Sequence, residues 1–276
     1  MTSLQLPLII EPEQVVKLLG NEQLLIIAVC RAAVFDALHI PGAVLIEPGE
    51  LVSGQQPAVG KLPSVEHLSK LFSRIGLNEH KHVIVYDDEG GGWAGRLIWT
   101  LDVLGHQHYS FLNGGLISWR ADQHPLESAS TAGSTQNSEY SVYQATIDRT
   151  VIASLEDVLA QINDDSSVVW DARGEDEFSG RRQASLRSGH IPGAVNLDWL
   201  DTMDRSNSLR LLPLNVLKEK LESLGISSEK SVITHCQSHH RSGLTYLIGK
   251  ALGLNIRAYD GSWAEWGNHP DTPIES

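Results

Sequence analysis

The sequence has little cysteine. Its 276 residues include only Cys30 and Cys236, which is too few for a disulfide framework. No cysteine and histidine spacing is typical of a structural zinc site. We therefore predict an intracellular protein that carries no metal.

Positive charge and long apolar runs are also scarce. With 34 acidic against 21 basic residues the net charge is -13, which argues against a nucleic-acid partner because phosphate binding needs a basic surface. The segment 1–13 has no basic start, and Pro7 interrupts its apolar stretch. We expect neither a secretion signal nor a membrane span, and hence a cytoplasmic protein.

The chain is internally repeated. The hexapeptide His-Ile-Pro-Gly-Ala-Val occurs at 39–44 and again at 190–195. Further matches pair apolar positions of 68–84 with those of 217–233, and Trp119 with Trp266. One unit has therefore been duplicated. The chain's apolar content of 41% suffices for two separate cores. Because the hexapeptide histidine is present in both copies, as His39 and His190, we interpret it as a structural turn residue.

Each half alternates short apolar strands with amphipathic helices. We predict strands at 24–29, 83–86, 168–170 and 232–234, with helix caps at Ser64 and Ser154 and helix ends at Gly76 and Gly225. This order predicts an α/β fold, with a parallel sheet in each half and helices on both of its faces. The small polar residues of 128–138 indicate a linker. The predicted organisation is a domain at 1–127, a linker at 128–139 and a second domain at 140–276.

Cys236 lies where a predicted strand, 231–234, gives way to a predicted helix, 244–252. Loop N–H groups and the helix dipole favour a thiolate there. The basic residues of the same loop, namely His235, His239, His240 and Arg241, favour it further and attract an anionic substrate. We predict a partly exposed nucleophile with a depressed pKa. Cys30 follows the apolar strand 24–29 and is predicted to be a core residue.

The duplication provides an internal control. In the first half Asp87 occupies the position of Cys236, followed by Asp88 and Glu89. A carboxylate is no sulfur nucleophile, and three acidic residues repel an anion. The first half is therefore predicted to be silent, to stabilise the second half and to form one wall of a cleft between domains.

Tandem halves, the repeated hexapeptide, Asp87 in the first loop and Cys236 in the second resemble a two-domain rhodanese, or thiosulfate:cyanide sulfurtransferase. The loop Cys-Gln-Ser-His-His-Arg at 236–241 is similar to that of bacterial thiosulfate sulfurtransferases. This resemblance implies that Cys236 attacks the outer sulfur of thiosulfate, releases sulfite and passes the sulfur of its persulfide to cyanide or another thiophilic acceptor. It implies no cofactor.

The resemblance also implies a set of binding residues. Arg187 and Arg241 are expected to hold the oxyanion end of the donor, since a planar guanidinium donates two hydrogen bonds. The other loop residues are expected to surround the persulfide: Gln237, Ser238, His239 and His240. Asp171 and Arg173 match a family motif and are expected to brace the loop. Arg182 and Trp199 are secondary candidates; solvated charge and a core position are the respective alternatives.

Three other functions stay open. A 3-mercaptopyruvate sulfurtransferase usually has the loop Cys-Gly-Ser-Gly-Val-Thr, of which only Cys236 and Ser238 match here. A cysteine phosphatase needs five residues between Cys and Arg, whereas 237–240 supplies four. The anion cradle, meaning the loop N–H groups that would surround a bound anion, is therefore sized for a sulfur atom. A sulfur carrier would use the same persulfide. Because two halves complete the cleft within one chain, we expect a monomer.

Overall fold

The computed structural model describes residues 4–129 and 142–276. Most of the predicted linker therefore lies outside the described residues. In the described part of the chain, no helix is long and apolar enough to cross a membrane, and no group of His, Cys, Asp and Glu side chains is arranged to hold a metal ion.

The first domain contains a five-stranded sheet in the order β1-β5-β4-β2-β3, and every pair in it is parallel. Its elements are β1 Ile9–Ile10, α1 Pro12–Val15, β2 Leu24–Val29, α2 Ala32–Ala37, β3 Val44–Ile46, α3 Val65–Arg74, β4 His82–Asp87, α4 Gly92–Val103, β5 Tyr109–Leu112 and α5 Gly115–Ala121.

The second domain repeats this topology, with the order β6-β12-β11-β7-β8 and parallel pairs throughout. A short antiparallel ribbon, β9-β10, is added to it. Its elements are β6 Ile152–Ala153, α6 Leu155–Gln161, β7 Ser167–Asp171, α7 Glu175–Phe178, β8 Val195–Asn196, β9 Met203–Asp204, β10 Arg210–Leu211, α8 Leu214–Ser223, β11 Ser231–His235, α9 Arg241–Ala251, β12 Asn255–Tyr259 and α10 Ser262–Trp266.

Both faces of each sheet are covered by helices, as predicted. In β2 the alternate residues Leu25 and Ile27 join the core under α3 and α4, whereas Ile26 and Ala28 join a second core that includes Trp119 of α5. Such runs, apolar on both faces, are typical of parallel strands buried between helix layers. The second domain divides its core in the same way, with Val232 and Ile233 on opposite faces of β11.

Local signals define several helix boundaries. The Ser64 hydroxyl accepts the N–H of His67, and Ser154 forms a reciprocal capping box with Asp157, which confirms both predicted caps. Gly76 and Gly225 follow helix ends with φ of +74° and +76°, a conformation that glycine adopts without strain.

Helices α4 and α9 join the two domains by direct backbone contact. A Cβ at Gly95 would lie 2.3 Å from the carbonyl carbon of Gly243, and one at Gly243 would lie 2.4 Å from the N atom of Arg96. Side chains at either position would therefore force the helices apart. Each helix begins directly after the loop that follows its central strand, so this crossing brings the two loops together.

Candidate active site

Cys236 directly follows β11 and precedes α9. Its carbonyl accepts the N–H of Trp263 at 2.9 Å, and the carbonyl of Gln237 accepts the N–H of Ala264 at 2.8 Å. The first turn of α10 thereby holds the loop. The predicted partial exposure is wrong: Cys236 is 1% exposed, since α10 on one side and the first domain on the other cover the loop.

The environment of Cys236 favours the thiolate. Burial by itself raises the pKa of this thiol, but the charge of Arg241, the N–H and hydroxyl of Ser242, and His240 together bring the pKa below its ordinary value. Ser242 belongs to the first turn of α9, where free N–H groups face the loop. This direction agrees with the predicted depression.

Arg241 forms a bidentate ion pair with Glu177 of α7. Its Nη1 lies 2.6 Å from Oε2, and its Nη2 lies 3.0 Å from Oε1. The planar pair of N–H groups that was expected to bind a donor anion is therefore engaged by Glu177. Arg241 instead contributes positive charge close to Cys236, in a position fixed by Glu177.

Two of the histidines do not supply the positive charge that the sequence suggested. Burial lowers the pKa of His235, and it lowers that of His239 further with the help of Arg96. The ring of His239 contacts the Trp99 ring edge-on at 4.4 Å, and its Nδ1 lies 2.8 Å from the hydroxyl of Ser242. His239 is thus a neutral residue at the interface between the domains, with a fully buried side chain. Its expected contact with substrate stays a prediction.

A buried charged cluster supports the end of β11. Arg173 donates from Nη2 to Asp171 at 2.6 Å and to the carbonyl of Gly189 at 2.8 Å, and it stacks on Trp263 at 4.3 Å. Burial alone would raise the pKa of Asp171, but the charge and hydrogen bonds of the Arg173 guanidinium hold it below its ordinary value. The geometry agrees with the bracing role expected for this pair.

His240 contacts the first domain. Its ring stacks on Trp93 at 4.5 Å, and its Nε2 lies 2.5 Å from Oε1 of Glu89. Trp199, which is 9% exposed, meets the same ring at 5.5 Å, so it lies beside the loop although it is largely buried. Sequence reasoning missed Glu89 and Trp93 as parts of the site. The available signal was that Glu89 lies in the loop equivalent to 236–240 and Trp93 in the first turn of the helix that follows it.

The structure places Arg187 on the C-terminal segment. Its guanidinium donates to the carbonyls of Thr272 at 2.8 Å, of Trp266 at 3.1 Å and of His269. These contacts occupy the groups that were expected to bind a donor anion. Arg187 therefore anchors 266–272, and the described contacts give it no link to the loop of Cys236.

The remaining expected residues have minor contacts. Gln237 donates from Nε2 to the carbonyl of Ala184 and lies equally near the hydroxyl of Ser185, both at 3.2 Å. The backbone of Ser238 touches Gly60 of the first domain so closely that a Cβ there would lie 2.1 Å from the Ser238 oxygen. Arg182 is exposed, which agrees with the alternative that it is a solvated surface charge.

The equivalent loop of the first domain is filled by its own carboxylate. Asp87 Oδ1 accepts the N–H groups of Gly91 at 2.8 Å and of Glu89 and Gly90 at 3.2 Å, and Oδ2 accepts that of Ala94 at 3.0 Å. Burial raises the pKa of Asp87, while these N–H groups act against the rise. The loop has the N–H geometry of an anion site and carries a carboxylate where the second domain has the thiol of Cys236.

A model of the rhodanese-like domain matches this chain twice, at 11–122 and at 154–269. The chain belongs to the rhodanese family. Its two matches agree with the two sheets and with the repeated hexapeptide.

Rhodanese relatives cover nearly the whole chain. It is 44% identical over 271 residues to a thiosulfate sulfurtransferase of Azotobacter vinelandii, with 98% of this chain and 97% of that protein covered. It is 31% identical over 245 residues to a 3-mercaptopyruvate sulfurtransferase of Escherichia coli, covering 86% and 83%. The Tum1 protein of Saccharomyces cerevisiae has the same fold, with a TM-score of 0.84 at 21% identity and 98% and 99% covered.

Proposed function

We propose that this rhodanese is a thiosulfate sulfurtransferase that carries sulfur as a persulfide on Cys236. The observation that supports this most is the environment of that thiol. It lies at a strand-to-helix junction, with Arg241, Ser242 and His240 lowering its pKa despite complete burial. A thiolate in such a position is a nucleophile.

The proposed reaction has two steps. The Cys236 thiolate attacks the outer sulfur of thiosulfate; a new S–S bond forms, the original S–S bond breaks, and sulfite leaves with the electron pair. The carbon of cyanide, or another thiophilic acceptor, then attacks the terminal sulfur of the persulfide. Thiocyanate forms in the case of cyanide, and the thiolate returns. No step needs an external oxidant or reductant.

The loop stabilises the anion in both states. N–H groups of Ser242 and the loop act on the thiolate before the first step and on the terminal sulfur of the persulfide after it, as an oxyanion hole does. Arg241 supplies the opposing charge. We assign Gln237 and Ser238 to the walls of this cradle, Asp171 with Arg173 to its support, and Trp199 to its side beside His240.

The domain limits, 1–127 and 140–276, are part of this proposal, as are a monomeric state and a cytoplasmic location. An apolar core that continues from one domain to the other supports a chain that needs no second copy to complete its site.

3-Mercaptopyruvate is the second candidate donor, because the chain is similar to an enzyme of that name. The bulky His239, His240 and Arg241 differ from the small residues usual in that loop and favour thiosulfate. The two donors are separated by kcat/KM for each with cyanide as acceptor. We expect the larger value for thiosulfate, and a larger value for 3-mercaptopyruvate would reverse the assignment.

A matched pair of variants tests the nucleophile in the same assay. Cys236→Ser is expected to abolish transfer with both donors. Cys30→Ser is the control, because Cys30 is buried and burial raises the pKa of its thiol to about 12; we expect it to retain activity. Transfer that survives Cys236→Ser and is lost in Cys30→Ser would contradict the proposal.

A further inference from the structure

We propose that Glu89 of the silent first domain is a positioning residue for the sulfur-loading step, acting through His240. This inference rests on the proposed function and adds a residue that the duplication argument had counted only as a source of repulsion. Glu89 meets the catalytic loop directly, since its Oε1 lies 2.5 Å from Nε2 of His240.

The silent loop is rigid enough to act as a support. The carboxylate of Asp87 accepts four backbone N–H groups between Glu89 and Ala94 and is fully buried. These bonds fix the backbone on both sides of Gly90 and Gly91. Because the carboxylate takes the place that an anion would have in this cradle, the loop is ordered without a ligand and presents Glu89 from a fixed backbone.

His240 is held from three directions. Trp93 stacks on its ring at 4.5 Å, Trp199 meets the ring at 5.5 Å, and Gly92 leaves so little space that a Cβ would lie 2.5 Å from Nε2. Glu89 supplies the one charged contact among these. His240 is also the residue immediately before α9, so fixing its ring fixes the loop between Cys236 and the first helical turn.

The position of this loop matters because N–H groups must point at the sulfur atom in the transition state. A loop displaced by a fraction of an ångström keeps its thiolate and loses this alignment, which lowers the rate of the chemical step. The Glu89 side chain is 43% exposed, and a contact between partly exposed polar side chains adds little to global stability. Its effect should therefore fall on the reaction and not on unfolding.

The test is a double-variant cycle on Glu89→Gln and His240→Asn in the full chain. The readout is the rate of persulfide formation at saturating thiosulfate, measured by rapid quench and intact mass. We expect Glu89→Gln to lower this rate about tenfold, Glu89→Asp to recover part of the loss, and Glu89→Gln to have no further effect in the His240→Asn background.

Two controls separate positioning from a general disturbance. Glu79→Gln removes a matched Glu–His contact on the surface of the same domain, with His80 at 3.6 Å, and should leave loading unchanged. At a pH high enough to ionise Cys236 in every variant, alkylation by iodoacetamide needs no aligned N–H groups. Glu89→Gln should therefore leave this rate, and the thermal midpoint, close to those of the wild type.

Three results would overturn the inference alone while the wild type loads normally: unchanged loading in Glu89→Gln, an equal further loss in the His240→Asn background, or parallel losses of loading and alkylation. A wild-type protein that does not load from thiosulfate would overturn the proposed function and this inference with it.

Discussion

The two domains share one fold and differ in the charges beneath one loop. The sheet register pairs Asp171 with His235 in the second domain and Ala28 with Tyr86 in the first. Cys236 follows His235, just as Asp87 follows Tyr86. A carboxylate and an imidazole below the loop of Cys236 are thus replaced by an apolar and a phenolic side chain below the loop of Asp87.

The same replacement extends to the helix that follows the loop. Arg241 opens α9 and pairs with Glu177, whereas Gly92 opens α4 and Val34 stands at the position of Glu177. By contrast, both domains have the same contact between the hexapeptide histidine and a phenylalanine. His39 stacks on Phe35 as His190 stacks on Phe178, at 4.0 and 3.8 Å. We infer that such a loop needs its backbone to keep its shape and needs the buried charges beside it to carry sulfur.

The largest effect is expected from moving the nucleophile alone. In Asp87→Cys combined with Cys236→Ser, the first loop gains a thiol beside Asp88 and Glu89, and Gly92 stands where the second loop has Arg241. We expect persulfide formation at least about 100-fold slower than in the wild type, since the thiol stays protonated. Intact mass against time after thiosulfate addition measures it; loading at the wild-type rate would show that the buried charges are dispensable.

The next effect concerns stability. Asp171→Ala leaves the buried Arg173 guanidinium without its carboxylate, which should cost about 3–5 kcal/mol of unfolding free energy. Urea unfolding measures the loss, with Asp165→Ala, at an exposed position, as control. Because the pKa of Asp171 is depressed by folding, its contribution is present above the unfolded pKa and should fall as the pH decreases through the folded value. A variant as stable as the wild type would contradict a bracing role.

A third variant gives the second domain the residues that the first domain has at the positions of Glu177 and Arg241. Glu177→Val with Arg241→Gly removes the largest influence that lowers the pKa of Cys236. Less thiolate is then present at any given pH, so the alkylation profile of Cys236 should move to higher pH by about one unit or more. The rate of iodoacetamide modification across the pH range reports this shift. An unmoved profile would assign the low pKa to the helix terminus alone.

The smallest effects should come from the residues that both domains keep. His39 Nδ1 lies 2.7 Å from the carbonyl of Phe35, and His190 Nδ1 lies 2.9 Å from that of Phe178. His39→Ala and His190→Ala should each cost about 1 kcal/mol in urea unfolding and leave sulfur transfer unchanged. A loss of transfer confined to His190→Ala would give that histidine a role in the site.

Sequence patterns predicted the fold well because duplication and strand periodicity are local signals. The four predicted strands lie within β2, β4, β7 and β11, and Cys236 stands at the predicted junction. Side-chain partners were harder to predict, since they depend on packing between distant segments. Arg187 was expected at the substrate and binds backbone carbonyls of the C-terminal segment. His239 was expected to be charged, but the α4–α9 contact buries it.

The most direct test of the account is the intact mass of the protein after thiosulfate and again after cyanide, for the wild type, Cys236→Ser and Asp87→Asn. We expect a gain of one sulfur atom in the wild type and in Asp87→Asn, reversed by cyanide, and no gain in Cys236→Ser. A sulfur atom retained by Cys236→Ser, or no gain in the wild type, would contradict the assignment of sulfur transfer to the second loop.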